Sequence, residues 1–186
     1  MKYPGRPGRA ELAREGHEIA LECRQAKRLV DPTNSKRMEI KKKAIRAPDA
    51  LNEAFQYLRP SSFSRGLRLD FGSISALLIS GTASIGPDGE TLHVGDFRGQ
   101  TRRTFYNITR LLAAEGATWK DVVRTTCYLR DIDQDYAAFN EERTAFYQEQ
   151  GLDPLPASTG IQAKLCRPEL LIEIEAIAVF CSESKP

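Results

Sequence analysis

The sequence has only two histidines, His17 and His93, and its four cysteines (Cys23, Cys127, Cys166, Cys181) form no C-x-x-C pair. A protein-held metal needs three or four closely placed ligands, and His93 with Asp96 is too sparse a set, so no metal is expected. His17 lies in the arm helix and His93 near the glycine-rich turn, far in sequence from any serine or cysteine that can be connected to them, so nucleophilic catalysis is a poor bet. Neither G-x-x-x-x-G-K-S/T nor G-x-G-x-x-G occurs, and no cofactor is expected. Long hydrophobic runs are also missing. The longest uncharged stretch, 71–87, is shorter than the roughly 20 apolar residues a bilayer demands and is interrupted by Gly72, Gly81 and Gly86, so no membrane partner is expected. No secretory h-region opens the chain, and with no disulfide-like cysteine spacing the expected compartment is the cytoplasm, with reduced thiols.

What is present is an ordinary globular composition, 41% hydrophobic and 28% charged over 186 residues, which suits one domain with an extension. The charge is uneven. Residues 1–46 carry thirteen Lys/Arg against six Asp/Glu, and the rest of the chain fourteen against nineteen. A basic arm therefore precedes an acidic body. Lys36, Arg37, Lys41, Lys42, Lys43 and Arg46 suit any acidic surface, nucleic acid included, but no aromatic residues are interleaved as base-stacking platforms.

Periodicity divides the chain into an arm (1–60, with one or two helices), a folded domain (61–181) and a tail (182–186). Ile19, Cys23, Ala26 and Val30 form an apolar stripe on a helix over 11–30. Pro48 opens a second short helix through Leu58. Strand-like segments follow at 63–69 and 76–84, then a helix over 100–115 with Gly116 as its stop. Thr118–Asp121 reads as a capping box. A strand over 122–131 places Val123, Thr125, Cys127 and Leu129 on one face and Arg124, Thr126, Tyr128 and Arg130 on the other. A second long helix carries Tyr136, Phe139, Phe146 and Tyr147, and the last strand spans 170–180. This order predicts an α+β fold with both helices on one sheet face. Ile172, Ile174, Ala176 and Ala178 suit the helix side. Leu171, Glu173, Glu175, Ile177 and Val179 are then left on an uncovered face, which oligomerisation around a partly polar interior explains.

The segments LLISG (77–81), VVRTTCYLRD (122–131), NEERTAFY (140–147), PAST (156–159) and IEIEAIA (172–178) together resemble the RidA-like reactive-intermediate deaminases, also called the YjgF family. The resemblance covers about residues 63–180. It implies a chorismate-mutase-like fold, a homotrimer, a small-molecule cleft at each subunit interface, and hydrolysis of 2-imino or enamine acids to 2-keto acids and ammonia. It places Ser80, Asn140 and Glu173 among the cleft residues, with Glu173 as the catalytic group. Where the deaminases read P-A-R-S-C, this chain reads Pro156-Ala157-Ser158-Thr159-Gly160, and Phe63 stands where a cleft tyrosine is usual. A serine hydroxyl cannot replace the bidentate fork of an arginine on a substrate carboxylate. Deaminase activity on common 2-imino acids is therefore expected to be weak or absent. The run PASTGIQAKLCRPELLIEIEA is also similar to the C-terminal part of chorismatases, which hydrolyse an enol ether with a glutamate acid.

Each candidate has a structural reading beside the functional one. Glu173 and Glu175 share a strand face, where neighbouring carboxyls raise one pKa and yield a general acid, or else pair with Arg124 and Arg130. Asn140 either caps a helix or reaches a ligand; Ser80 belongs either to a bulge or to the cleft. Ser158, Thr159 and Gly160 form a polar loop or an anion-binding one. Three functional hypotheses follow: hydrolysis of an imine, enamine or enol ether by Glu173 and water; a non-catalytic ligand-binding or regulatory trimer; and RNA binding or endoribonuclease-like cleavage through the basic arm.

Overall fold

The computed structural model describes residues 40–57 and 60–181. The helix expected over 11–30 and the tail over 182–186 lie outside the described residues. Six strands form one mixed sheet: β1 (Lys41–Ala44), β2 (Gly66–Phe71), β3 (Ile74–Ala83), β4 (Val122–Leu129), β5 (Ala157–Gln162) and β6 (Ile172–Cys181). Their spatial order is β1-β2-β3-β6-β4-β5; only β4 and β5 run parallel. The two long helices are α1 (Phe97–Ala113) and α2 (Ile132–Glu149).

The last strand sets the core. Ile172, Ile174, Ala176 and Ala178 are buried with Ile108, Leu111 and Leu112 of α1 and Phe139 of α2 in one apolar cluster, as period-2 alternation requires when both helices cover the same face. Leu78 pairs with Ile177 on the opposite face, and both remain exposed, together with Val179. The helices start at acidic caps: Asp96 accepts from the Gly99 N–H at 2.9 Å and Asp131 from the Gln134 N–H at 3.0 Å. Gly116 and Gly151, at φ of 75° and 62°, lie just beyond the two helix ends, in backbone that a side chain would strain.

The structure departs from the sequence reading at five places. Lys41–Ala44, read as part of the basic arm, is strand β1, paired antiparallel with β2. The short helix expected from Pro48 is instead a turn over 48–50 and a 3-10 turn at Ala54–Gln56. Ile45, Ala47, Ala50, Leu51 and Ala54 are all buried, so packing rather than helix propensity holds this segment. Ser158–Gly160 is not loop but edge strand β5, recruited by parallel pairing with β4. Val123 is exposed, because a register shift between Val122 and Arg124 turns Val122 inward in its place. Asn140 lies inside α2 and does not cap it, since Asp131 holds that position.

Candidate functional site

Glu173 sits on the open face of β6, where β6 pairs with β3 through Ala83 and with β4 through Tyr128. Its carboxyl has no hydrogen-bond partner among the described residues. Burial, and after it the negative charge of Glu175 two residues on, pushes the Glu173 carboxyl above its ordinary range. The expected alternative, ion pairs from Glu173 and Glu175 to Arg124 and Arg130, is not what forms. Glu175 accepts from Tyr128 Oη at 3.0 Å, Arg124 donates to Thr159 Oγ1 at 3.1 Å, and Arg130 donates to the Leu170 and Arg167 carbonyls. Glu173 is therefore available to a ligand.

A cavity of about 700 Å³ opens in front of it, lined by Phe63, Gly81, Ala83, Ile85 and Leu170 as well as Tyr57, Arg65 and Arg167. That volume is in the range of small-molecule sites. Gly81 is required by contact, not by backbone conformation, since a Cβ there would overlap Glu173 Oε1. Gly81→Ala is expected to push the carboxyl out of place. Because the obstructed group is the end of a flexible side chain, the melting temperature should move by only a few degrees while any Glu173-dependent turnover falls by an order of magnitude or more. Parallel melting and rate measurements check this.

Ser80, expected beside Glu173, adopts the structural role. Its hydroxyl donates to the Ser64 carbonyl at 2.8 Å and its N–H to the Arg65 carbonyl, at the register shift between Ile79 and Thr82. It faces a smaller hollow with Arg124, Thr126 and Glu175.

Asn140 and Ser158 meet elsewhere, through an arginine the sequence reading missed. Arg143 donates to Ser158 Oγ at 3.1 Å and to Asn140 Oδ1 at 2.5 Å, and its guanidinium lies 4.8 Å from the centre of the Phe139 ring. Ser158 Oγ also bonds Thr125 Oγ1 at 3.0 Å, so it points to the helix side of the sheet. A guanidinium thus stands next to position 158, supplied by α2 instead of β5. Spacing on the helix was the available clue, because Asn140 and Arg143 are neighbours at i and i+3. Thr159 faces Arg124, and Gly160 lies against Tyr136, where an added Cβ would come within 3.4 Å of the ring. Cys127, read as core, is buried, and burial raises its thiol pKa. No cluster of metal-ligating side chains occurs among the described residues.

The model of the endoribonuclease L-PSP family matches residues 61–180. The chain belongs to that family. Its relatives include a RutC family protein of Pyrococcus abyssi, 33% identical over 102 residues, which are 55% of this chain and 76% of the relative. The 3-aminoacrylate deaminase RutC of Acinetobacter baylyi is 33% identical over 100 residues, 54% of this chain and 75% of the relative. Among solved structures, the YjgF gene product of E. coli superposes with a TM-score of 0.59 at 28% identity, over 74% of this chain and 98% of that one. E. coli TdcF, solved with bound serine, gives 0.61 at 26% identity, over 74% and 98%. The six-stranded mixed sheet with two helices is the fold of this RidA-like family. No helix among the described residues is long and apolar enough to cross a membrane.

Proposed function

We propose that this protein is a RidA-type hydrolase of imine, enamine or enol-ether metabolites, acting as a homotrimer whose clefts lie between subunits. The observation that carries the reading is the separation of the site residues within one chain. Phe63 and Glu173 line the 700 Å³ cavity, while Ser158 and Arg143 line a different hollow of about 270 Å³. Neither half holds both the acid and the Asn140–Arg143–Ser158 group. A second copy meeting the exposed Leu78, Ile177 and Val179 face removes apolar surface from water, which supports an interface there.

For an imine, Glu173 in its protonated form donates to the nitrogen as water adds to the C=N carbon, and the resulting carboxylate takes up the proton that the added water releases. Glu173 then passes that proton to the amine while the adduct's hydroxyl returns its own to the carboxylate, so that the C–N bond breaks and imine plus water yields ketone plus ammonia with the acid restored. Burial and the neighbouring Glu175 charge raise the Glu173 pKa, which keeps its acid form present above the ordinary carboxylate range. The relative named 3-aminoacrylate deaminase supports an enamine as the substrate class. Arg143, beside Ser158, supplies a guanidinium to the half of the cleft that lacks the acid.

Two measurements test this. Light scattering is expected to give three times the 20.8 kDa chain mass; a monomer mass overturns the shared cleft. An assay following decay of a freshly generated imine, with ammonia and semicarbazide controls, is expected to show acceleration by the protein. Ligand binding with no acceleration would instead assign a binding role.

A further inference from the structure

The cavity in front of Glu173 contains two guanidinium groups, those of Arg65 and Arg167, that form no ion pair with the described residues. Arg65 is 3% exposed. Its Nε and Nη2 donate to the Asn52 carbonyl at 2.7 and 2.5 Å, and Nη2 also reaches Asn52 Oδ1 at 3.3 Å and Tyr57 Oη at 2.6 Å. All of these partners are neutral, and Nη1 makes no hydrogen bond among the described residues. Arg167 Nη1 donates to the Gly89 carbonyl at 2.7 Å and Thr91 Oγ1 at 3.3 Å, again neutral groups. The two guanidiniums stand 5.2 and 5.1 Å from the centre of the same Tyr57 ring, and Arg65 lies 5.7 Å from that of Phe63. The cavity's carboxyls, those of Asp88, Glu90 and Glu173, form no ion pair with either arginine; Glu90 Oε2 accepts instead from the Asp88 N–H. Burying a guanidinium without an anion is costly, so a site that retains one this way is built for an anion that comes and goes.

We propose that Arg65 and Arg167 form an anion subsite inside the Glu173 cavity, binding the carboxylate of an organic acid whose flat apolar body lies along Tyr57 and Phe63. The subsite enters from the segment before β2 and the turn before β6, on the Glu173 side of the cleft, whereas Arg143 belongs to the other half. It rests on the hydrolase reading and deepens it in two respects, naming the arginine pair that holds the substrate carboxylate and a planar, aryl-like side group as the part that the Tyr57 and Phe63 rings select. The neutral walls are Ala83, Ile85 and Leu170. Glu173 lines the same cavity.

The test uses the full-length protein and calorimetric titration at fixed ionic strength with phenylacetate and its neutral amide, phenylacetamide. Phenylacetate is expected to bind at least tenfold more tightly. Arg167→Gln should remove most of that preference, and Arg65→Lys, which keeps the charge but loses the fork, should weaken phenylacetate binding several-fold. Because Arg65 also ties Asn52 and Tyr57 in place, its variant is read alongside a melting curve, and Arg167→Gln carries the test if Arg65→Lys fails to fold. Equal affinity for acid and amide, or a preference untouched by Arg167→Gln, overturns the subsite. Arginine-dependent binding without hydrolysis would uphold the subsite and sink the hydrolase reading. Hydrolysis of an aryl imino acid with a KM indifferent to both arginines would do the reverse.

Discussion

Replacing Glu173 by glutamine is expected to lower imine hydrolysis by about a hundredfold to ten-thousandfold, the range that a positioned general acid contributes. Glutamine keeps the volume and the contact over Gly81 but has no transferable proton. The fold should survive, because Glu173 takes part in no ion pair or side-chain hydrogen bond with the described residues. The wild-type rate should also carry the signature of a carboxylic acid. Burial raises the Glu173 pKa, so the protonated form persists above the ordinary carboxylate range and is lost as pH climbs further. The rate should be flat below that raised pKa and fall up to tenfold per pH unit above it, while the variant shows no such step. A loss smaller than threefold, or a wild-type rate that increases through this window, would remove Glu173 from the acid role.

The largest effect on stability is expected from Phe105→Ala. Phe105 is 1% exposed at the centre of an aromatic cluster, stacked on Phe146 with ring centres 4.6 Å apart and meeting Trp119 edge-on at 5.7 Å. Trp119 is held in turn by its indole N–H on Thr109 Oγ1 at 2.8 Å, so it cannot move freely to fill a void. Truncation removes most of a buried side chain and leaves a cavity, costing about 3–5 kcal/mol. At roughly 2–4 °C per kcal/mol for a chain of this size, the melting temperature should fall by about 10 °C. Phe105→Leu, which refills much of the space, should cost less than half as much. A shift below 3 °C for the alanine variant would mean that the cluster collapses onto the gap.

Elements written in local periodicity were legible from the sequence. The alternation Ile172, Ile174, Ala176, Ala178 against Glu173, Glu175, Ile177, Val179 places each residue on the observed side of β6. The helix read over 100–115, with Gly116 as its stop, lies within a few residues of the observed ends of α1. These signals are local because side-chain direction repeats every 2 or 3.6 residues whatever the rest of the chain does. Family membership was legible for a related reason, in that the order of short motifs from Leu77 to Ala178 survives without any knowledge of contacts.

Tertiary structure alone decided the two edge strands. Lys41–Ala44 is too basic, and Ala157–Gln162 too polar and glycine-bearing, to declare a strand. Each becomes one because a neighbouring strand offers unpaired backbone groups that need partners. The same holds for the site. Nothing in the spacing of Arg65 and Arg167 reveals that both line one cavity beside Tyr57, nor does that of Arg143 and Ser158 reveal their contact, since the folded sheet brings them together across long or irregular separations. The sequence by itself determined the fold family and the acid on β6, because both reside in short contiguous patterns. Which arginines line the cavity with Glu173 was settled only by packing, because charge convergence is a property of the folded surface and leaves no period in the chain.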